Sequence, residues 1–302
     1  MGRQEIRGLI AWMDKDEAVQ IQLGACMPLA DENTTAQGES WANALEHLQS
    51  REEYALPTPT LEPLPEDLRA RGEVFLQRAD LAVHFNGWEW TVGTANLDNV
   101  LTFQKIGSED AVERVSTIDV GDPQALFSLC LPDPGGTAEL PGTVDNDRKG
   151  IAFSSANPNL RVMAAMAAAI DGQPFYGFTI GFGLPFVQVV EYQGRWFIRD
   201  GYHRCYGLLR RGVRRIPCLF IRARDTQQFG GDNPHFFRWE TIFGPRPPFL
   251  RDFLDDNVAF TANRSITGRV IRITSADCCR TLAHSSEASP PVAVSKPATK
   301  GQ

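Results

Sequence analysis

Apolar residues recur along the chain in two rhythms, and the change from one to the other divides it. Ile6, Leu9, Ile10, Met13, Ala18 and Ile21 fall roughly on one face of a 3.6-residue repeat, which predicts a helix over residues 6–23. Ser40 is placed to cap a second helix over Trp41–Leu48. Prolines at 57, 59, 63 and 65 fix φ and disfavour helix in the residues before them, so 57–65 is expected to run extended, as a linker or an arm across a surface. Helical spacing resumes over Glu66–Ala79, with Leu68, Val74, Phe75 and Leu76 as core candidates.

From residue 81 the pattern is that of strands. Leu81–Phe85, an Asn86-Gly87 turn and Trp88–Val92 read as a β-hairpin. Arg161–Ile170, rich in alanine and methionine, reads as a helix closed by Asp171-Gly172. Pro185–Tyr192 is then a buried strand, Gln193-Gly194 a turn, and Arg195–Arg199 a second strand. Tyr202–Arg211 is a helix stopped at Gly212, and Ile216–Ala223 a third strand. Beyond Arg224 the aromatics Phe229, Phe236, Phe237, Trp239, Phe243, Phe249, Phe253 and Phe260 are expected to cover the core. Serine, threonine, proline and lysine dominate after about residue 261.

The expected architecture is therefore α+β. An N-terminal α+β extension occupies 1–150, a core of small mixed sheet and helices 151–225, an aromatic C-terminal wrap 226–260, and a largely disordered tail 261–302. With 42% hydrophobic and 22% charged residues, the composition is that of an ordinary globular protein. Six cysteines without a Cys-x-x-Cys pair indicate neither a zinc site nor a disulfide framework, and no metal site is expected. Nothing at the N-terminus reads as a signal peptide. The longest uncharged run, Gly172–Val190, is broken by glycines and prolines, so no membrane span is expected and the protein is read as cytoplasmic.

Charge changes the picture. The 30 Lys and Arg against 37 Asp and Glu give −7, which argues against a surface that wraps nucleic acid. The balance is uneven: residues 1–194 carry −16, whereas 195–224 carry nine arginines and the single acid Asp200, a local +8. Such asymmetry marks either a site for an anion or a solvated basic face.

The segment Arg199-Asp200-Gly201-Tyr202-His203-Arg204-Cys205 sits inside that basic stretch, where a strand gives way to a helix. Without a Cβ, Gly201 lets the backbone turn sharply and bring successive N–H groups to one point. The helix start and its dipole favour an anion there. Arg204 adds a fork of permanently charged donors, and His203 a donor or a proton-transfer group. Asp200 could hold the turn, orient His203 or Arg204, or help bind a metal ion carried by a nucleotide. Asp-Gly before an aromatic is also an ordinary turn.

The whole frame, Gly183 to Val190, Trp196 to Asp200, Gly201-Tyr202-His203-Arg204, Leu208 to Gly212 and Ile216-Pro217-Cys218-Leu219, resembles the ParB/sulfiredoxin-like superfamily over residues 150–225. Its Asp-Gly-x-His-Arg version resembles that of free-serine-kinase-like members. The resemblance implies nucleotide phosphates (ATP, ADP or CTP, with Mg2+) bound at Gly201, Tyr202, His203 and Arg204, with Asn157 and Arg161 completing the pocket. It further implies phosphoryl transfer to a small hydroxylated substrate, or nucleotide hydrolysis, with Asp200, His203 and Arg204 as catalytic residues. Asp171 and Glu191 are candidate bases, and His235 a residue that a following loop would bring to the site.

Two departures narrow this. Sulfiredoxins carry a reactive cysteine where this chain has Tyr202, and Cys205 reads as a packing residue. The proline- and glycine-broken stretch 225–260 leaves no helix-turn-helix of the partition-protein kind. The alternatives are a non-catalytic nucleotide-sensing module, and a DNA-associated protein with Arg210, Arg211, Arg214 and Arg215 on backbone phosphates.

Overall fold

The computed structural model describes residues 3–24, 34–55, 61–108, 110–133, 142–145, 150–155, 160–170, 173–181, 186–233, 235–265 and 269–274. The fold is α+β. The chain opens with strand β1 (Arg3–Gly8), a 3-10 turn at Ile10–Trp12, and helix α1 (Lys15–Gln22). The single helix expected over 6–23 is thus divided. Asp14 starts α1 by accepting from the Glu17 N–H (2.9 Å), and Ile6, Leu9, Ile10 and Met13 are buried around the bend. Helix α2 (Thr35–Ser50) begins ahead of Ser40, which lies within it.

The end of the proline-rich arm forms β2 (Leu61–Glu62), followed by α3 (Glu66–Leu76), α4 (Ala79–His84) and β3 (Glu89–Asn96). Helix α4 stands where the first strand of a hairpin was expected. Leu81 and Phe85 are one helical turn apart and both fully buried, and the Phe85 N–H donates to the Leu81 carbonyl (2.8 Å). Five residues of alternating character suit either element, and packing of the pair on one face decides for helix.

Next come β4 (Leu101–Thr102), β5 (Ile106–Ser108), α5 (Asp110–Arg114), α6 (Pro123–Cys130), β6 (Gly142–Asp145) and β7 (Gly150–Ser155). β8 (Arg161–Ile170) and β9 (Gln173–Gly181) follow as an antiparallel hairpin. The alanine-rich stretch read as a helix is therefore a strand. Its helix propensity, a few tenths of a kcal/mol per residue, yields to pairing with Phe175-Tyr176-Gly177-Phe178-Thr179-Ile180, which has strong strand character. Asp171 and Gly172, expected as a helix cap, lie outside the described residues.

The remaining elements are β10 (Gln188–Tyr192), β11 (Arg195–Asp200), α7 (Tyr202–Arg210), β12 (Arg215–Arg222), α8 (Thr226–Phe229), α9 (Trp239–Ile242), β13 (Phe260–Ser265) and β14 (Arg269–Thr274). The stretch from β10 to β12 matches its sequence reading closely. Two strands follow residue 260: β13 pairs with β1, and β14 with β7. Ordered structure thus runs to residue 274, past the expected start of the tail. Residues 275–302 lie outside the described set.

A six-stranded mixed sheet, in the order β2-β3-β12-β10-β11-β4, organises the centre. β10 and β11 form a hairpin, α7 crosses over, and β12 returns parallel to β10 (Val189 opposite Phe220). Strand alternation places Phe197 and Trp196 on opposite faces. Phe197 meets Phe103 (5.0 Å, stacked) and Phe229 (5.0 Å, edge-on), with Trp239 and Phe243 behind them. Trp196 stacks on Phe220 (4.6 Å). Phe229, Phe236, Trp239 and Phe243 therefore cover the sheet, whereas Phe253 packs on Tyr202 and Tyr206 of α7.

Candidate functional site

The start of α7 is built by Gly201. Its φ of +79° is left-handed, and a Cβ there would lie 2.9 Å from the Cα of Val187, on the segment leading into β10. Both conditions require glycine. Asp200 stabilises the turn by accepting from the Gly201 N–H (2.7 Å), the first of the roles its position suggested. The Cys205 N–H donates to Gly201 O (3.0 Å), and the N–H groups ahead of it lie outside the helix's own bonding pattern. Asp200, Gly201, His203 and Arg204 are all half-buried, within reach of solvent.

Most of the residues singled out from the sequence lie among the described ones. Arg204 Nη1 donates to the carbonyl of Leu129 (2.9 Å) in the last turn of α6, where a cation opposes the helix dipole. The Tyr202 ring is 4% exposed and lies edge-on to Phe253 (5.6 Å), its hydroxyl without a hydrogen-bond partner among the described residues. Tyr202 thus offers the helix start its N–H, while its side chain belongs to the core. Burial pushes its phenol well above the ordinary value. Arg161 opens β8 opposite Gly181, and Asn157 lies outside the described residues.

The cysteines around the site are packing residues. Cys130, Cys205 and Cys218 are fully buried. Burial pushes the Cys130 thiol up to about 12 and Cys205 well above its usual value, despite the nearby Arg204 guanidinium, so both are thiols at neutral pH. At Cys205, desolvation outweighs the activating helix start.

Of the candidate bases, Glu191 accepts from Arg222 Nε (2.8 Å), and Asp171 is outside the described residues. His235 is exposed, and its N–H donates to Asn233 Oδ1 (2.9 Å) within its own loop. Among the described residues no group of three His, Cys, Asp or Glu side chains is arranged to hold a metal ion.

One residue beside the site was not singled out. Arg199 donates from Nε to Gln228 O (2.8 Å) and from Nη1 to Gln188 Oε1 (2.5 Å), and its guanidinium lies over Trp88 (5.1 Å). A glutamine inside the apolar run Phe186–Val190 was the available signal. Gln188 is 1% exposed, and a buried amide needs a partner.

The local +8 of the sequence is met in part by carboxylates from elsewhere in the chain. Arg214 pairs with Asp98 (2.8 Å), Arg215 with Glu62 (2.9 Å), and Arg222 with Glu89 (2.7 Å) and Glu191 (2.8 Å). Arg211 donates to the carbonyls of Val115 and Ile118, and Arg195 to those of Ile242 and Gly244. The acidic N-terminal body and the basic stretch are complementary halves of one packed structure. Three of the four arginines considered for DNA backbone, Arg211, Arg214 and Arg215, are thereby engaged within the chain.

No helix among the described residues is long and apolar enough to cross a membrane. Comparison with known proteins finds no matching family model, no matching curated protein and no matching solved structure.

Proposed function

We propose that the start of α7 binds the phosphate groups of a nucleotide, ATP, ADP or CTP with its Mg2+, in a ParB/sulfiredoxin-like core formed by β10, β11, α7 and β12. The observation that carries this reading is the left-handed Gly201, whose missing Cβ allows a tight turn against Val187 at the head of α7, where the first N–H groups of a helix lie outside its own bonding pattern. Asp200 holds the turn through the Gly201 N–H. His203 and Arg204, half-buried beside it, supply a titratable donor and a fixed positive charge.

The chemistry that fits is phosphoryl transfer to a small hydroxylated molecule, or to water. Bound nucleotide supplies the phosphoryl group and the charge-neutralising Mg2+. The chain supplies preorganised donors: backbone N–H groups and Arg204 toward developing negative charge, and His203 toward a proton on the acceptor or leaving oxygen. The pairing of Glu191 with Arg222 counts against one candidate base, and it supports as second reading a nucleotide sensor that binds without turnover.

Thermal shift and calorimetry with ATP, ADP and CTP, each with and without Mg2+, test the reading on the full chain and on His203→Ala. The expected result is stabilisation by at least one nucleotide that His203→Ala weakens. No stabilisation by any of them overturns it. Given binding, phosphate release or transfer to hydroxylated metabolites separates the enzyme from the sensor.

A further inference from the structure

Of the eleven large apolar side chains that are exposed among the described residues, eight lie on β7, β8, β9 and β14, five of them on the β8–β9 hairpin: Val162, Met166, Phe175, Tyr176 and Phe178. Tyr176 is 71% and Phe178 54% exposed. From Val162 to Gly181 the sequence holds one charged residue, Asp171. Among the described residues no third strand joins the hairpin. A two-stranded hairpin is at best marginally stable in water, and an apolar patch of this kind marks an interaction surface.

The register says what fits it. Tyr176 is paired with Ala167 and Phe178 with Ala165, so these four share one face. That face therefore carries a row of large rings on β9 beside a row of alanines on β8. A two-fold axis parallel to the strands lays Tyr176 and Phe178 of one copy on Ala167 and Ala165 of the other, and large meets small at these two positions. The surface is self-complementary in the isologous sense. It is also uncharged on a chain of net charge −7, so identical copies meet here without the repulsion they feel elsewhere. A lipid occupant is disfavoured, because both outer edges of a lone hairpin would leave backbone groups unpaired in hydrocarbon.

We infer that the β8–β9 hairpin is a homodimerisation surface, with Tyr176 and Phe178 of one copy seated on Ala167 and Ala165 of the other. A strand rise of about 3.3 Å and a strand spacing of about 4.8 Å make each face roughly 300 Å². The two faces together, roughly 600 Å², fall short of the ~1,000 Å² in total that a stable interface buries, so the dimer is weak and concentration-dependent.

Sedimentation velocity on the full chain, from about 1 to about 500 μM, spans the affinities of so small an interface. The wild type is expected to pass from monomer to dimer. Ala167→Tyr and Tyr176→Ala are each expected to weaken association about tenfold or more, and the exchanged pair Ala167→Tyr/Tyr176→Ala to restore it. A monomer at every concentration overturns the inference. So does stronger association of Ala167→Tyr, the mark of unspecific stickiness, or failure of the exchanged pair to recover. Near-UV dichroism of the aromatic core reports whether each variant keeps its fold. Nucleotide binding plays no part in this readout.

Discussion

The Arg204 guanidinium donates to the Leu129 carbonyl, Nη1 to O at 2.9 Å, and so joins the first turn of α7 to the last turn of α6. The arginine proposed above to meet a phosphate also holds two helices together.

Replacing Arg204 should therefore cost stability even without ligand. Arg204→Ala leaves the Leu129 carbonyl without this charged donor, and about 1–3 kcal/mol of unfolding free energy is expected to be lost. Arg204→Lys should recover part of it. Urea denaturation without nucleotide measures this directly. An unchanged midpoint for Arg204→Ala would show that the contact contributes nothing.

Three glycines of the same unit should respond differently to alanine. At Gly212, φ is +82° but a Cβ meets nothing within 4 Å, so only the conformational cost of about 1 kcal/mol applies. At Gly201 the same cost is joined by a collision with the Val187 backbone, and a loss of about 2–4 kcal/mol is expected. Gly207 sits in mid-helix, where alanine would normally help by about 1 kcal/mol, yet its Cβ would lie 2.8 Å from the Ala111 carbonyl carbon in α5. Gly207→Ala should destabilise. The order expected in thermal denaturation puts Gly212→Ala as the mildest of the three.

Two carboxylates on Arg51 should give opposite acid responses. Burial pushes Asp252 up, and the Arg51 guanidinium (2.9 Å) only partly opposes it. At Asp255 burial also raises the pKa, but hydrogen bonds from Asn257 and the charge of Arg51 outweigh it, and the group titrates below its ordinary value. A depressed carboxylate contributes stability above its unfolded pKa, and that contribution is lost as pH falls through the folded one. Asp255→Asn should accordingly be less stable than wild type near neutrality and converge with it as pH falls below the ordinary carboxylate value. Asp252 contributes in the other sense, favouring the fold when protonated and losing that contribution as pH rises. Urea midpoints between about pH 2 and 7 test the convergence, and a gap that persists at low pH would contradict it.

The engaged arginines of 195–224 predict weak attachment to polyanions. With Arg214, Arg215 and Arg222 in ion pairs with Asp98, Glu62, Glu89 and Glu191, few counterions remain to be released. The full chain should elute from heparin below about 0.2 M salt, and Glu62→Gln/Glu89→Gln later. Retention of the wild type to high salt would revive the DNA reading.

Along the chain, legibility followed the range of the forces that decide each element. From Gln188 to Arg222 the sequence alone determined strand, turn, strand, glycine turn, helix and returning strand. There Gly194, Gly201 and Gly212, all at positive φ, punctuate the chain, and local patterning agrees with the fold. It likewise determined that the late aromatics cover a core.

Only the tertiary structure decided that residues 161–170, alanine-rich and helical by local propensity, are a strand, because partners in β9 outweigh a small preference. It also decided that Leu81 and Phe85 share a helix face, and that Ile6 leaves its expected helix to join β1. The charge pattern was legible, but its meaning was not. Nine arginines in a row of thirty residues suggested a surface for anions. Folding set most of them against carboxylates and carbonyls distant in the chain: the half-buried Arg195, Arg199, Arg204 and Arg211 on carbonyls, and the exposed Arg214, Arg215 and Arg222 on carboxylates that the sheet brings beside them. What the sequence did locate is the sharp turn at Gly201, since Asp200 and a glycine suffice to signal it; its left-handed φ and its close approach to Val187 are seen only in the fold.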